Sequence, residues 1–310
     1  MQNIYEVQSA NKRKSLLVIV GFVAFVMLAI YVLIQAFSIY FGYQVGALGI
    51  FGFALIFSGL SSFVSYYYSD KIVLGISGAK EANRDQHFDF YTAAENLSLA
   101  AGVPVPRLYV INDTAPNAFA TGRNPDQAVI CATTGLLEKL DRTELEGVVA
   151  HELSHIINYD TRLMTLVTVM VGIVALLGDF FLRMQWFGNG SRDKDSGNSG
   201  AIFLIIGFLF ALLAPLVATL IKLAISRRRE YMADAGAVSL TRQPSGLISA
   251  LKKISGDTEA LEAANKATAH MYIANPFQGK KDRRAVSKMA NLFNTHPPIE
   301  KRVQMLEKMS

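Results

Sequence analysis

Cysteine is nearly absent from this sequence: Cys131 stands alone in 310 residues. No intrachain disulfide can form, which excludes a secreted disulfide scaffold and fits a reducing compartment for any part that folds in water. The lone thiol reads as a small buried apolar residue. Charge is scarce too, at 18% against 51% hydrophobic residues, a balance that excludes disorder and is too apolar for an ordinary soluble protein. Internal repeats, low-complexity tracts and a compact basic and aromatic module are all missing. The net charge of +5 is therefore read as a membrane-facing feature and not as a nucleic-acid surface.

The scarcity of charge is concentrated in two places. From Ser15 to Ser69 there is no Asp, Glu, Lys or Arg, a run long enough for two bilayer crossings of ~20 residues each. It is expected to fold back at the polar and aromatic stretch 38–44, giving spans near 15–37 and 45–67 with tyrosines at both interfaces. A second hairpin is expected from 163–182 and 201–224, around the hydrophilic loop 189–197. Lys12, Arg13 and Lys14 precede the first span, no Lys or Arg lies between the first two, and Lys71, Arg162 and Arg227 to Arg229 border the other ends. That distribution puts both termini and residues 70–161 on the cytoplasmic side. The expected layout is a tail at 1–14, a membrane hairpin at 15–69, a cytoplasmic segment at 70–161, a second hairpin at 162–226 and a second cytoplasmic segment at 227–310. The two cytoplasmic segments are expected to form one domain.

Local patterns outline that domain. Residues 91–101 read as a helix ended by Gly102, 107–111 and 128–132 as short strands, and 134–140 as a helical turn. Asp141 followed by Glu144 has the form of a capping box opening a longer helix to about Asn158. Further on, a helix runs out of the fourth span past Arg229, Pro244 opens another that Gly256 ends, and Pro297 and Pro298 introduce a last one with Ile299, Val303 and Leu306 on one face. The whole reads as a mainly α integral membrane protein with four transmembrane helices and an α+β cytoplasmic domain containing a small sheet.

Within the helix opened by Asp141 lies His151-Glu152-Leu153-Ser154-His155. Two imidazoles one helical turn apart share a face and can bind one zinc ion. Glu152 is offset in angle, within reach of a water at the metal without being a ligand, as a general base must be. A catalytic zinc wants a third protein ligand, and Glu230-Tyr231-Met232-Ala233-Asp234 offers two carboxylates on one helix face. Glu230 is the candidate ligand, and Asp234 is placed to accept a hydrogen bond from the far nitrogen of a liganding histidine. The competing reading pairs both acids with Arg227 and its neighbours at a membrane surface.

These segments, followed by Thr295-His296-Pro297-Pro298 and interrupted by a membrane hairpin, resemble the HtpX-type membrane zinc metalloproteases, gluzincins related to the CAAX prenyl protease. The similarity extends over nearly the whole chain. It implies a zincin-like domain, one Zn2+ per chain, and a cytoplasmic-facing endopeptidase of the inner membrane that acts on damaged or misassembled membrane proteins. It also singles out Asn117, Ala118, Phe119, Ala120 and Thr121 as an edge for an extended substrate; the residues alone read as a turn made by Asn117 and Gly122 around an apolar Phe119. His296, Tyr231 and Arg227 are candidates to stabilise the oxyanion. Charged residues around the histidine motif argue against an intramembrane protease. A catalytically silent chaperone or scaffold is the alternative, disfavoured by the complete set of His151, Glu152, His155 and Glu230. The oligomeric state is not legible.

Overall fold

The computed structural model describes residues 4–41, 47–170, 227–264, 268–274, 276 and 297–309. Two helices open the chain, α1 (Ile4–Phe41) and α2 (Ala47–Tyr67), packed on each other. α1 runs to Phe41, so the fold-back expected over 38–44 falls partly within α1 and partly outside the described residues, and positions 4–14 of the expected N-terminal tail are helical. Much of α1 and α2 is described by backbone alone, and among the fully described residues no helix is long and apolar enough to cross a membrane. The expected third and fourth spans lie outside the described residues beyond position 170; residues 160–170 are helical.

A short α3 (Ser69–Ile76) leads into the rest: β1 (Lys80–Glu81), α4 (Phe88–Ala101), β2 (Arg107–Ile111), β3 (Ala118–Thr121), β4 (Val129–Thr133), α5 (Thr134–Lys139) and α6 (Arg142–Ile157). After the interruption come α7 (Arg227–Thr241), α8 (Pro244–Ser255) and α9 (Ile299–Glu307). α4 ends where expected because Gly102 takes up a left-handed conformation, φ +66°, at no steric cost.

The sheet is mixed, in the order β1-β2-β4-β3. β2 and β4 run parallel, from Arg107 opposite Val129 to Ile111 opposite Thr133, while β1 and β3 are antiparallel to their neighbours. β3 was not expected as a strand. All four of its residues are buried, so it lacks the alternation that marks a half-exposed strand.

The helix α6 lies between sheet and helices, contacting β3, β4, α4, α7 and α8. Its residues from Leu145 to Ile156 are buried apart from Glu146, as befits a helix wrapped on every side. One apolar core joins α4, the sheet and α6 to Ala237, Leu247, Leu251, Ile273 and Leu306, so the two segments on either side of the interruption share it. At Gly147 the two segments meet backbone against backbone. A Cβ there would sit 2.7 Å from the Leu247 nitrogen and 2.9 Å from its Cα, and one at Gly246 would sit 2.6 Å from the Thr143 carbonyl oxygen. Alanine favours helices over glycine by about 1 kcal/mol, yet here the obstacle is backbone. We expect Gly147→Ala to lower stability by about 1–3 kcal/mol, read as an earlier thermal unfolding transition; an unchanged or later one contradicts this packing.

Candidate metal centre

α6 is fixed at its start before it carries any chemistry. Asp141 Oδ1 accepts from the Glu144 amide and Glu144 Oε2 from the Asp141 amide, both at 2.9 Å, completing the expected capping box. Ser249 and Lys253 of α8 each donate to Glu144 at 2.6 Å. The register of the following three turns is therefore anchored to a neighbouring helix.

Three turns on, the His151 and His155 rings stand 4.8 Å apart and perpendicular. α7 packs along α6 and delivers Glu230 between them: Oε2 lies 3.7 Å from His151 Nε2, and Oε1 lies 3.5 Å from His155 Nε2. A tetrahedral ion with bonds of about 2.0–2.1 Å holds its ligand atoms roughly 3.4 Å apart, and each histidine stands close to that spacing from one of the two Glu230 oxygens. All three side chains are buried, with ligand atoms within 4.8 Å of one another.

The far nitrogens fix the rings. His151 Nδ1 is 3.0 Å from Asp234 Oδ1, and His155 Nδ1 is 3.0 Å from Asp160 Oδ2. A carboxylate accepts from each Nδ1–H, which leaves each Nε2, on the side of Glu230, as the nitrogen that would bind a metal once it carries no proton. Asp234 is held in turn by Arg302 of α9, whose Nε and Nη2 donate to its two oxygens at 2.9 and 2.6 Å. Arg302 is completely buried, with Nη2 3.3 Å from His151 Nδ1.

These surroundings drive the two imidazoles apart. Burial, and then the Arg302 charge, push His151 down to about 4 despite the Asp234 hydrogen bond. Burial also acts against charge on His155, but the Asp160 hydrogen bond and the Glu230 and Glu152 carboxylates outweigh it and raise this ring to about 9. Without metal at neutral pH, His151 is neutral and His155 is protonated. A metal must displace that proton, so zinc affinity should fall by about tenfold per pH unit below 9. Calorimetry at pH 7 in buffers of different ionisation enthalpy should show release of close to one proton per zinc; no release contradicts the pairing of His155 with its three acids.

The model of peptidase family M48 matches residues 85–310. The chain belongs to peptidase family M48. Curated M48 relatives agree along the whole length: a "Protease HtpX homolog" of Dictyoglomus thermophilum is 45% identical, covering 98% of this chain and 94% of its own. One from Caldanaerobacter subterraneus subsp. tengcongensis is 44% identical over 100% of this chain and 99% of its own. One from Listeria monocytogenes is 40% identical over 99% and 100%. Among solved structures, S. mikatae Ste24p matches 90% of this chain and 62% of its own at 17% identity and a TM-score of 0.48. With the His151, His155 and Glu230 cluster, membership of M48 makes this chain a zinc-dependent endopeptidase with one Zn2+ site.

Other expected residues of this M48 peptidase are distributed unevenly. Glu152 is buried beside the ligands, its charge acting on both His155 and Arg302. Tyr231 is half-buried on α7 and Arg227 is exposed at its start. His296 lies outside the described residues. Residues 118–121 form β3 and Asn117 precedes it: Thr133 N–H donates to the Asn117 carbonyl, so Ala118 and Ala120 turn their backbone groups away from β4. The chain already covers the first of these, since Ile273 N–H donates to the Ala118 carbonyl at 2.9 Å and Asn117 Nδ2 to the Ala274 carbonyl at 3.1 Å. Asp160 and Arg302 were not anticipated. Of the two, Arg302 left a signal, a cation set among the apolar positions Ile299, Val303 and Leu306.

Proposed function

We propose that this endopeptidase is anchored in the inner membrane, with its protease domain and both termini cytoplasmic, and that it hydrolyses damaged or misassembled membrane proteins. The observation that carries the reading is the convergence of two Nε2 atoms on one Glu230 carboxylate, with both Nδ1 atoms held by buried acids. Support for the membrane setting comes from the uncharged run between Ser15 and Ser69 and the lysines and arginines at its borders. The proposed domain layout is 1–14, 15–69, 70–161, 162–226 and 227–310.

Zinc bound here supplies a Lewis acid that polarises the scissile carbonyl and acidifies a water molecule. Glu152 is the general base: its carboxylate takes the proton of the attacking water and returns it to the leaving amine nitrogen. Asp234 and Asp160 keep the two ligand rings in the productive tautomer, and Arg302 keeps Asp234 ionised and in place. His296, Tyr231 and Arg227 remain the proposed donors to the oxyanion. The outward N–H and C=O of Ala120, on the Asn117 to Thr121 edge, are proposed to pair with an extended substrate. Such pairing reads backbone shape and not side chains, in keeping with broad clearance of damaged proteins.

The test is cleavage of an unfolded protein such as casein by the full chain in detergent, with a reporter fused after Ser310 for topology. Cleavage abolished by a zinc chelator and restored by zinc, with a cytoplasmic reporter, supports the proposal. Chelator-resistant cleavage removes the metal mechanism, and an exported reporter overturns the orientation.

A further inference from the structure

The turn that follows α6 is held from outside the catalytic domain. After Ile157 the chain passes through Asn158 and Tyr159, the latter in the left-handed region at φ +58°, which a side chain with a Cβ rarely adopts unless its surroundings impose it. This turn brings Asp160 back onto His155, where Oδ2 accepts from Nδ1 at 3.0 Å. The first turns of α1 touch four consecutive residues of it. Gln8 Nε2 donates to the Ile157 carbonyl at 2.9 Å, Asn11 Nδ2 donates to the Asn158 carbonyl at 2.9 Å and to Asp160 Oδ1 at 2.8 Å, and the Lys12 ammonium lies 4.2 Å from the centre of the Tyr159 ring. Asn11 and Asp160 are both almost completely buried.

Asp160 therefore has its two oxygens divided between two tasks. One receives the proton-bearing nitrogen of a zinc ligand, and the other is taken by Asn11, with Arg229 Nη1 further off at 3.5 Å. A carboxylate held by one oxygen only can rotate about its Cβ–Cγ bond, and the ring it positions would follow it. Buried groups that orient a ligand histidine typically account for ~10–100-fold in metal affinity.

We infer that Asn11 is a positioning residue for zinc: it acts through Asp160 on His155, so that α1 braces the metal centre as well as anchoring the chain. The inference rests on the zinc site proposed above. Contacts that merely fasten α1 to the domain would change stability with no change in how tightly zinc is held.

The experiment measures zinc release from the full chain in detergent, using excess chelator and a zinc indicator, for wild type, Asn11→Asp, Asn11→Ala, Asp160→Asn and the double variant Asn11→Ala with Asp160→Asn. Asn11→Asp keeps the volume but turns an acceptor toward the Asn158 carbonyl and the Asp160 carboxylate, and it should release zinc about tenfold faster or more. Asn11→Ala should do so less strongly, which keeps the test open if the aspartate variant does not fold. Adding Asn11→Ala to Asp160→Asn should change nothing further, because the route through Asp160 is already broken. The visible spectrum of the cobalt-substituted protein should shift in Asn11→Ala, a change at the metal that mere loosening of α1 does not produce. Wild-type release rates and an unshifted cobalt spectrum in both Asn11 variants overturn the inference, as does an Asn11→Ala effect that persists undiminished beside Asp160→Asn. A wild-type chain that binds no zinc would instead sink the zinc site itself.

Discussion

Glu152→Gln should retain one zinc per chain and lose casein cleavage by about 10²–10⁴-fold, the range that a positioned general base contributes. The substitution is nearly isosteric, so the buried position beside His151 is refilled without a cavity. What changes is the proton chemistry, because an amide cannot accept a proton from water at neutral pH. Zinc binding should not weaken: the Glu152 charge is one of the groups that raise His155 to about 9, and removing it eases the deprotonation a metal requires. Metal analysis and cleavage rates on the same preparation check both halves. A variant that cleaves at the wild-type rate would end the assignment of Glu152, and one that lost zinc would move it among the ligands.

Glu230→Ala should empty the site. Groups that merely support a ligand cost ~10–100-fold in affinity, and loss of one ligand of three should cost more, so zinc should not survive dialysis against a mild chelator. The damage extends beyond the metal. Glu230 Oε2 lies 3.9 Å from Arg302 Nη1 and its carboxylate helps hold His155 protonated in the metal-free chain. Without it, two buried cationic groups lose a shared anion, and the metal-free variant should also unfold earlier than metal-free wild type. Unchanged zinc content by metal analysis would remove Glu230 from the ligand set.

The histidine pair was legible because a helix converts an interval of four residues into a shared face, and the capping box at Asp141 made the helix itself readable. Glu230 and Asp234 were legible as a pair on one face, but not which way that face turns; only the packing of α7 on α6 decides against the surface arginines and for His151. Asp160 is not legible in the sequence because it reaches His155 through a left-handed turn at Tyr159, and a conformation of that kind has no periodicity. Arg302 interrupts the apolar stripe of α9, and a cation buried in that position demands a buried anion. β3 was missed for the opposite reason: with four consecutive buried residues it shows neither alternation nor length. The polar residues Gln8, Asn11 and Lys12 read as a tail because their partners lie about 150 positions away along the chain.

X-ray absorption at the zinc edge of the full-length wild-type protein tests the central claim most directly. Two histidine nitrogens and a carboxylate oxygen at about 2.0–2.1 Å, with no sulfur, are expected for one zinc per chain. A spectrum lacking the multiple scattering of two imidazoles, or showing a sulfur neighbour at about 2.3 Å, would contradict it.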